Sequence, residues 1–212
     1  RPFLRDLQSQ LGIPVVIAND ANCFALAEAK LGAAHEVAPE AELVFGIILG
    51  TGVGGGIVAH GKLIQGLQGL GGEWGHNFLD ESGEKDYAGL HGCVETILSG
   101  PALERWYQRL SGEARPLPEI VARHEEGADL HATDTMKRLV TFFGKAVAPI
   151  INLIDPEVIV IGGGVGNIDL LYTEGVAAVA PYVFNPVVRT RFLKPKLGDS
   201  AGVFGAAMLV AP

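Results

Sequence analysis

Residues 43–64, which read LVFGIILGTGVGGGIVAHGKLI, decide the class of fold. The apolar run over residues 43–49 predicts a strand that is buried on both faces. Five glycines follow within residues 50–56, and β-type residues then resume on both sides of a His60-Gly61 turn. The stretch therefore predicts a β-hairpin rather than a strand that leads into a helix.

The rest of the chain alternates short apolar runs with helical patterns, which predicts an α/β domain. A chain of 212 residues is long enough to bury a sizeable core. The glycine-rich loop, defined here as residues 65–92, is long for a segment without regular structure and is typical of a functional loop. Further strands are predicted at residues 14–18, 158–161 and 187–193. Helices are predicted at residues 4–11, 21–31, 94–110 with an interruption at residues 99–101, 117–127, 133–154, 168–179 and 201–210.

Composition and charge exclude several classes of partner. The formal net charge is −8, so the chain lacks the positive surface that binding to nucleic acid requires. Its longest apolar runs are far shorter than the ~20 residues that span a bilayer, so we expect no membrane contact. The two cysteines, Cys23 and Cys93, do not form a disulfide framework. We therefore expect reduced thiols and a cytoplasmic protein.

The glycines of the hairpin permit two kinds of ligand. Gly50, Gly52 and Gly55 match the GxGxxG pattern of an NAD-dependent enzyme, but that fingerprint opens a helix and this stretch leads into a strand. Glycine backbone can instead bring N–H groups close to a polyphosphate, and Thr51 adds a hydroxyl. An ordinary hairpin needs one or two glycines, so five favour phosphate contact. For the second cluster, at residues 162–164, nucleotide contact and close strand–helix packing remain equal alternatives.

Polar side chains follow the first predicted strand and recur around the glycine-rich loop. Asn19 and Asp20 end residues 14–18, where a carboxylate suits a general base and equally suits a helix N-cap. Glu73 and His76 lie three residues apart in the loop, and Glu95 opens a predicted helix. Taken one at a time, these residues are explained by capping or by solvation, and only their combination suggests a shared site.

That combination resembles the ROK family of sugar kinases and sugar-responsive repressors, which have the actin-like ATPase (ribonuclease H-like) fold. The closest branch is that of bacterial fructokinases and N-acetylglucosamine kinases. The matching motifs follow the order of the family and cover nearly the whole chain: NDANCFALAE (19–28), LGTGVGGG (49–56), GEWGH (72–76), HGCVETILSG (91–100), DPEVIVIGGGVGN (155–167) and GDSAGVFGAA (198–207).

The resemblance implies ATP-dependent phosphorylation of a hexose, which could be fructose, glucose or N-acetylglucosamine. Asp20 would be the general base, and the other sugar hydroxyls would be bound by Asn19, Glu73, His76 and Glu95. Mg²⁺ and backbone N–H groups would neutralise the phosphates, and the turn over residues 162–167 would hold the adenosine. The nucleotide set is then Thr51, Gly52, Gly54, Gly55, Gly56, Gly163, Gly164 and Asn167. A homodimer is also implied.

The resemblance further implies a division of the chain. Residues 1–20 would be the end of an N-terminal lobe and the hinge, and residues 21–212 the C-terminal α/β lobe with the sugar and nucleotide residues. The DxGGT-type phosphate loop of the N-terminal lobe has no counterpart in this sequence, so we expect no turnover by this chain alone. The alternative function is the sugar-binding effector domain of a ROK-type repressor without kinase activity.

The family usually binds a structural zinc through a histidine and a CxCGxxGC motif. The corresponding residues 86–93 read DYAGLHGC and retain the last cysteine. His76, Cys93 and Asp86 supply at most three of the four ligands of a closed zinc site. The sequence therefore favours a chain without bound zinc.

Overall fold

A mixed β-sheet lies at the centre of the computed structural model, which describes residues 3–185 and 187–210. Among these residues the sheet has five strands in the order β3-β2-β1-β4-β5. Strand β1 pairs antiparallel with β2 and parallel with β4, while β3 and β5 form the two edges. The strands are β1 (Leu43–Leu49), β2 (Val53–Ala59), β3 (Lys62–Leu63), β4 (Val158–Gly162) and β5 (Arg191–Leu193).

Helices cover both faces of this sheet. Helices α2, α3 and α9 pack on one face, and α4 to α8 lie with the long helix α7 on the other. Helix α1 buries no residue. The helices are α1 (Phe3–Leu11), α2 (Asp20–Lys30), α3 (Ala33–Val37), α4 (Glu95–Leu98), α5 (Gly100–Ser111), α6 (Leu117–Glu125), α7 (Leu130–Ile154), α8 (Glu174–Ala177) and α9 (Ala201–Met208).

The two cores follow from the alternation of side chains along the strands. In β1, Phe45, Ile47 and Leu49 belong to the core beneath α7, whereas Val44 belongs to the core beneath α2. Strand β4 divides its branched residues in the same way. A strand that is buried on both faces is apolar throughout, which explains why β1 and β4 are continuous hydrophobic runs.

Glycines bring α2 unusually close to the sheet. Gly46 and Gly56 are paired in the ladder, and a Cβ atom at either position would lie 2.6 Å or 2.8 Å from the Cβ of Ala25. On the other side of α2, a Cβ at Gly205 would lie 1.8 Å from the carbonyl oxygen of Cys23. Larger side chains at these positions would push the sheet, α2 and α9 apart.

A buried carboxylate fastens the far end of α2. Glu28 is fully buried and accepts hydrogen bonds from the backbone N–H groups of Ala33, Lys196 and Leu197. It therefore joins α2 to the start of α3 and to the segment that precedes α9. Hydrogen bonds from backbone donors are what allow a carboxylate to remain away from water.

The structure confirms the hairpin, helix α2, the break between α4 and α5, and the helices at α6, α7 and α9. The predicted strand at residues 14–18 is wrong. These residues pair with no strand in the described part of the chain, and Val16 and Ile17 are about half exposed at 49% and 48%. An apolar run becomes a strand only where a partner supplies hydrogen bonds.

Two further predictions are wrong in extent. The predicted helix at residues 168–179 is a 3₁₀ turn (Asp169–Tyr172) followed by α8, because Thr173 has a non-helical backbone. The predicted strand at residues 187–193 is reduced to β5, since β4 offers partners to residues 191–193 alone.

The division at residue 20 coincides with the start of α2 and stays a prediction. Residues 1, 2, 186, 211 and 212 of the two predicted parts lie outside the described residues. None of the described helices has the length and apolar character needed to cross a membrane.

Substituting Gly46 tests the close approach of α2. We expect Gly46→Ala to lower the free energy of unfolding by about 2 kcal/mol, because the new methyl group overlaps Ala25. Gly202→Ala in α9 is the matched control, since a Cβ there meets nothing within 4 Å. Urea denaturation of both variants measures the difference, and equal stabilities would contradict the packing described here.

Candidate functional site

The site begins at the N-terminus of α2. Asn19 is the N-cap, and its side-chain oxygen accepts the N–H of Ala21 at 2.8 Å. Asp20 occupies the first helical position and is exposed. Asn19 is therefore the N-cap, and Oδ1 of Asp20 accepts the same N–H at 2.8 Å, while its second oxygen, Oδ2, remains available to a ligand.

Three of the predicted sugar-binding segments meet at the start of β2. A Cβ at Gly54 would lie 2.9 Å from the Cβ of Ala21, which follows Asp20. A Cβ at Gly75 would lie 2.0 Å from the carbonyl oxygen of Val53. The Glu95 carboxylate accepts the N–H of Val53 at 2.9 Å. The structure thus brings the segments of Asp20, His76 and Glu95 together.

Trp74 fixes the glycine-rich loop against the core. Its indole N–H donates to the carbonyl oxygen of Ala146 in α7 at 2.8 Å, and its ring meets Phe45 edge to face at 6.3 Å. The neighbouring Glu73 lines a small cavity of about 230 Å³ beside α7. Its contact with a sugar stays a prediction. Sequence reasoning did not identify Trp74 as the anchor, although a lone Trp within a glycine-rich stretch was a usable signal.

His76 is held between two residues of the loop. Its Nδ1 lies 3.2 Å from Oδ2 of Asp86, and its Nε2 lies 3.4 Å from the Tyr87 hydroxyl. Burial by itself would raise the pKa of Asp86. Hydrogen bonds from the N–H of Leu90, the His76 ring and the N–H of Ala88 outweigh burial and bring that pKa below its usual value.

The donors around His76 do not fit a closed zinc site. Structural zinc takes four ligands, mostly thiolates and imidazoles. Donor atoms of His76, Asp86 and Cys93 lie within 4.8 Å of one another. They amount to three possible zinc ligands, of which one is a thiol. Ala88 stands at the position of a family cysteine and has no donor, and one oxygen of Asp86 already accepts two backbone N–H groups.

A cavity of about 770 Å³ opens next to the hairpin turn. Three residues of the predicted nucleotide set line it, namely Thr51, Gly164 and Asn167. Its apolar wall comes from α6 and includes Leu117 in the first turn of that helix and Val121. An apolar wall opposite a few polar groups suits a nucleoside. The wall was missed from sequence because its residues carry no motif.

The other glycines of that set have packing roles. Gly54, Gly55 and Gly56 lie within β2, where added Cβ atoms would come within 3 Å of Ala21, Gly72 and Ala25. The hairpin turn is therefore shorter than predicted, and Thr51 and Gly52 remain at its open end. The nucleotide role of the three strand glycines stays a prediction with no contact to support it.

Of the two alternatives left open for the second glycine cluster, the turn after β4 shows close packing at Gly163, and nucleotide contact by Gly164 stays a prediction. Gly163 has φ +85° and a Cβ there would lie 2.3 Å from the carbonyl oxygen of Leu49, so it packs against β1. Gly164 meets nothing within 4 Å and faces the cavity. The Tyr172 hydroxyl lies 2.9 Å and 2.8 Å from the carbonyl oxygens of Ile161 and Gly166 and holds the turn in place. Burial raises the pKa of Tyr172, so its hydroxyl stays protonated.

Comparison with known proteins identifies the family. The profile of the ROK family matches residues 1–212. The N-acetyl-D-glucosamine kinase of Vibrio cholerae is 37% identical over 219 residues, which cover 99% of this chain and 71% of that protein. The chain therefore belongs to the ROK family.

Solved structures agree with this assignment. The crystal structure of a ROK family glucokinase from Streptomyces griseus in complex with glucose and AMPPNP has a TM-score of 0.82 at 28% identity, over 99% of this chain and 72% of that one. A ROK family transcriptional regulator, a homologue of the Escherichia coli MLC protein, has a TM-score of 0.79 at 30% identity, over 97% and 54%. The predicted α/β, actin-like ATPase fold is confirmed.

A double-mutant cycle tests the contact between Gly52 and Glu95. A Cβ at Gly52 would lie 2.7 Å from Oε2 of Glu95 and would displace that carboxylate from the N–H of Val53. We expect Gly52→Ala to cost about 1 kcal/mol of stability in the wild-type background, since a half-buried N–H loses its acceptor. In a Glu95→Ala background the cost should vanish, and equal costs in both would contradict the contact.

Proposed function

We propose that this protein is an ATP-dependent sugar kinase that phosphorylates a hexose. One observation carries the proposal: the hairpin turn lies between the predicted sugar-binding residues and the cavity predicted to bind the nucleotide. Val53 and Gly54 contact the segments that bear Asp20, His76 and Glu95, and Thr51, two residues earlier, lines the 770 Å³ cavity. Phosphoryl transfer depends mainly on placing the acceptor next to the nucleotide, and a shared turn provides that proximity.

Asp20 is the proposed general base. Its carboxylate takes the proton from the attacking sugar hydroxyl, whose oxygen forms a bond to the γ-phosphorus of ATP. The bond between that phosphorus and the oxygen that bridges to the β-phosphate breaks, and ADP leaves. Asp20 is exposed, and because only its Oδ1 accepts a backbone N–H, Oδ2 can take this proton.

Asn19, Glu73, His76 and Glu95 are the proposed ligands of the remaining hydroxyls. Carboxylates accept hydrogen bonds from hydroxyls, while amide and imidazole groups both donate and accept, so such a set suits a polyol. Fructose, glucose and N-acetylglucosamine are the candidate substrates. The kinase activity of the Vibrio cholerae relative and the glucose bound by the Streptomyces griseus structure support this class.

ATP is the proposed occupant of the 770 Å³ cavity, with its nucleoside against Leu117 and Val121 and its phosphates directed toward Thr51. The AMPPNP in the glucokinase structure supports a nucleotide in this fold. Mg²⁺ would neutralise phosphate charge when ATP is bound. We also propose a cytoplasmic homodimer, as family resemblance implies.

A second candidate function is sugar sensing without catalysis. The similarity to a ROK family transcriptional regulator favours it, because sugar residues and fold are shared between kinases and repressors. A panel of the three hexoses with ATP and Mg²⁺, with ADP release as the readout, separates the two. Sugar binding without ADP release would support the sensor and contradict the kinase.

Replacing Asp20 tests the proposed base. We expect Asp20→Ala in the full-length protein to lower kcat by roughly 10²- to 10⁴-fold, with sugar affinity nearly unchanged. The helix keeps its cap because Asn19 supplies it. Asp134→Ala, which removes an exposed aspartate in α7, is the control. A wild-type rate in Asp20→Ala would eliminate this assignment.

Filling the cavity tests the nucleotide site. Gly164 has ordinary helical dihedral angles and open space around it, so Gly164→Leu should fold normally. The new side chain would enter the cavity and raise the Kd of a non-hydrolysable ATP analogue at least about tenfold. Isothermal titration of this variant and of Gly202→Leu on α9 makes the comparison. Unchanged affinity in Gly164→Leu would place ATP elsewhere.

A further inference from the structure

We infer that the Asp86 carboxylate replaces a metal ion in closing the glycine-rich loop and holds His76 in the tautomer with a proton on Nδ1. This inference goes beyond the proposed function. Its consequence for sugar binding, given below, rests on that function, whereas the closure and the tautomer do not.

The closure is built around one carboxylate. Oδ1 of Asp86 accepts the N–H groups of Ala88 at 2.9 Å and Leu90 at 2.8 Å, and Oδ2 lies 3.2 Å from Nδ1 of His76. The Asp86 side chain is completely buried, although Tyr87, Ala88 and Leu90 are exposed. A carboxylate away from water requires such donors, and this one has three.

The backbone supports the same closure. The N–H of Asp86 donates to the carbonyl oxygen of Leu90 at 2.8 Å, and Lys85 and His91 form an antiparallel bridge. Backbone hydrogen bonds therefore close the two ends of the turn over residues 85–91, and the Asp86 side chain holds its centre. The resemblance to the ROK family implies a zinc ion between this turn and the histidine. Here the hydrogen bond between Asp86 and His76 makes that connection.

Cys93 behaves as a packed thiol rather than as a ligand. It is fully buried, and its Sγ lies 3.8 Å from the Thr96 hydroxyl, which is the distance of a weak thiol hydrogen bond. The thiol thus has a protein partner, and the nearby Asp86 has used both oxygens. The remaining family position, Ala88, supplies no fourth ligand.

The contact with Asp86 assigns the tautomer of the neutral His76 ring, and the contact with Tyr87 is compatible with it. Asp86 can only accept, so the Nδ1 contact requires a proton on the ring. On the opposite side, the Tyr87 hydroxyl lies 3.4 Å from Nε2 and can donate to a nitrogen that carries no proton. Nε2 is therefore an acceptor. If the proposed function holds, a hydroxyl of the sugar takes the place of the Tyr87 hydroxyl at this nitrogen, and Asp86 is a positioning residue for it.

Metal content and unfolding test the closure in the full-length protein. We expect protein grown with zinc to contain far less than one equivalent, and its Tm to be unchanged by a zinc chelator. Asp86→Ala should lower the Tm by about 5 °C, and Glu81→Ala, an exposed change in the same loop, should not. One equivalent of zinc with a chelator-sensitive Tm would overturn the inference.

Restoring the missing thiols provides a converse test. The double variant Asp86→Cys/Ala88→Cys supplies three cysteines and His76, the residues of a Cys₃His set, and three of these four positions already have donor atoms within 4.8 Å of one another. We expect this variant to bind one equivalent of zinc and to lose stability when a chelator is added. Failure of the folded variant to bind zinc would contradict the described arrangement of the loop.

Nitrogen NMR of the imidazole tests the tautomer without sugar or nucleotide, so it can fail independently of the kinase proposal. At about pH 8 we expect the proton of His76 on Nδ1. In Asp86→Asn the carbonyl oxygen should stay with the two backbone N–H groups and the amide should donate to Nδ1, which moves the proton to Nε2. A wild-type ring protonated on Nε2, or an unchanged ring in the variant, would overturn the assignment.

Discussion

The close approach of α2 to the glycines of β1 and β2 is the constraint on which the other features depend. Ala25 rests on the paired Gly46 and Gly56, and Ala21 rests on Gly54. Because Gly46, Gly54 and Gly56 carry no side chain, the N-terminus of α2 reaches the start of β2. The position of Asp20 beside the hairpin follows from this packing, which alanine-sized groups on the strand would prevent.

The hairpin turn connects the packed strands with the two parts of the candidate site. Its strand side meets the loop and α4 through Val53, and its open side contributes Thr51 to the large cavity. A turn that is shared in this way needs little movement to bring an acceptor and a nucleotide together, which is what the proposed phosphoryl transfer requires. Tyr172 serves the same end by holding the opposite rim of the cavity.

The glycine-rich loop shows how a segment without regular structure is held in place. Trp74 attaches it to α7, and Asp86 closes its far end around His76. Both attachments are made by buried side chains, Trp74 with one hydrogen bond to Ala146 and Asp86 with contacts to His76, Ala88 and Leu90. The loop can therefore carry candidate sugar ligands at defined positions, because Trp74 ties it to the core and Asp86 joins His76 to the rest of the loop.

The sequence by itself determined the hairpin, α2 and the α/β class, since apolar runs and helical periodicity act over a few neighbouring residues. Residues 14–18 show the limit of such patterns, because an apolar run becomes a strand only beside a partner. Tertiary structure alone decided that Gly54 to Gly56 serve packing and that Leu117 and Val121 wall a cavity. Those roles arise where distant parts of the chain meet, and local sequence patterns do not encode the distance between them.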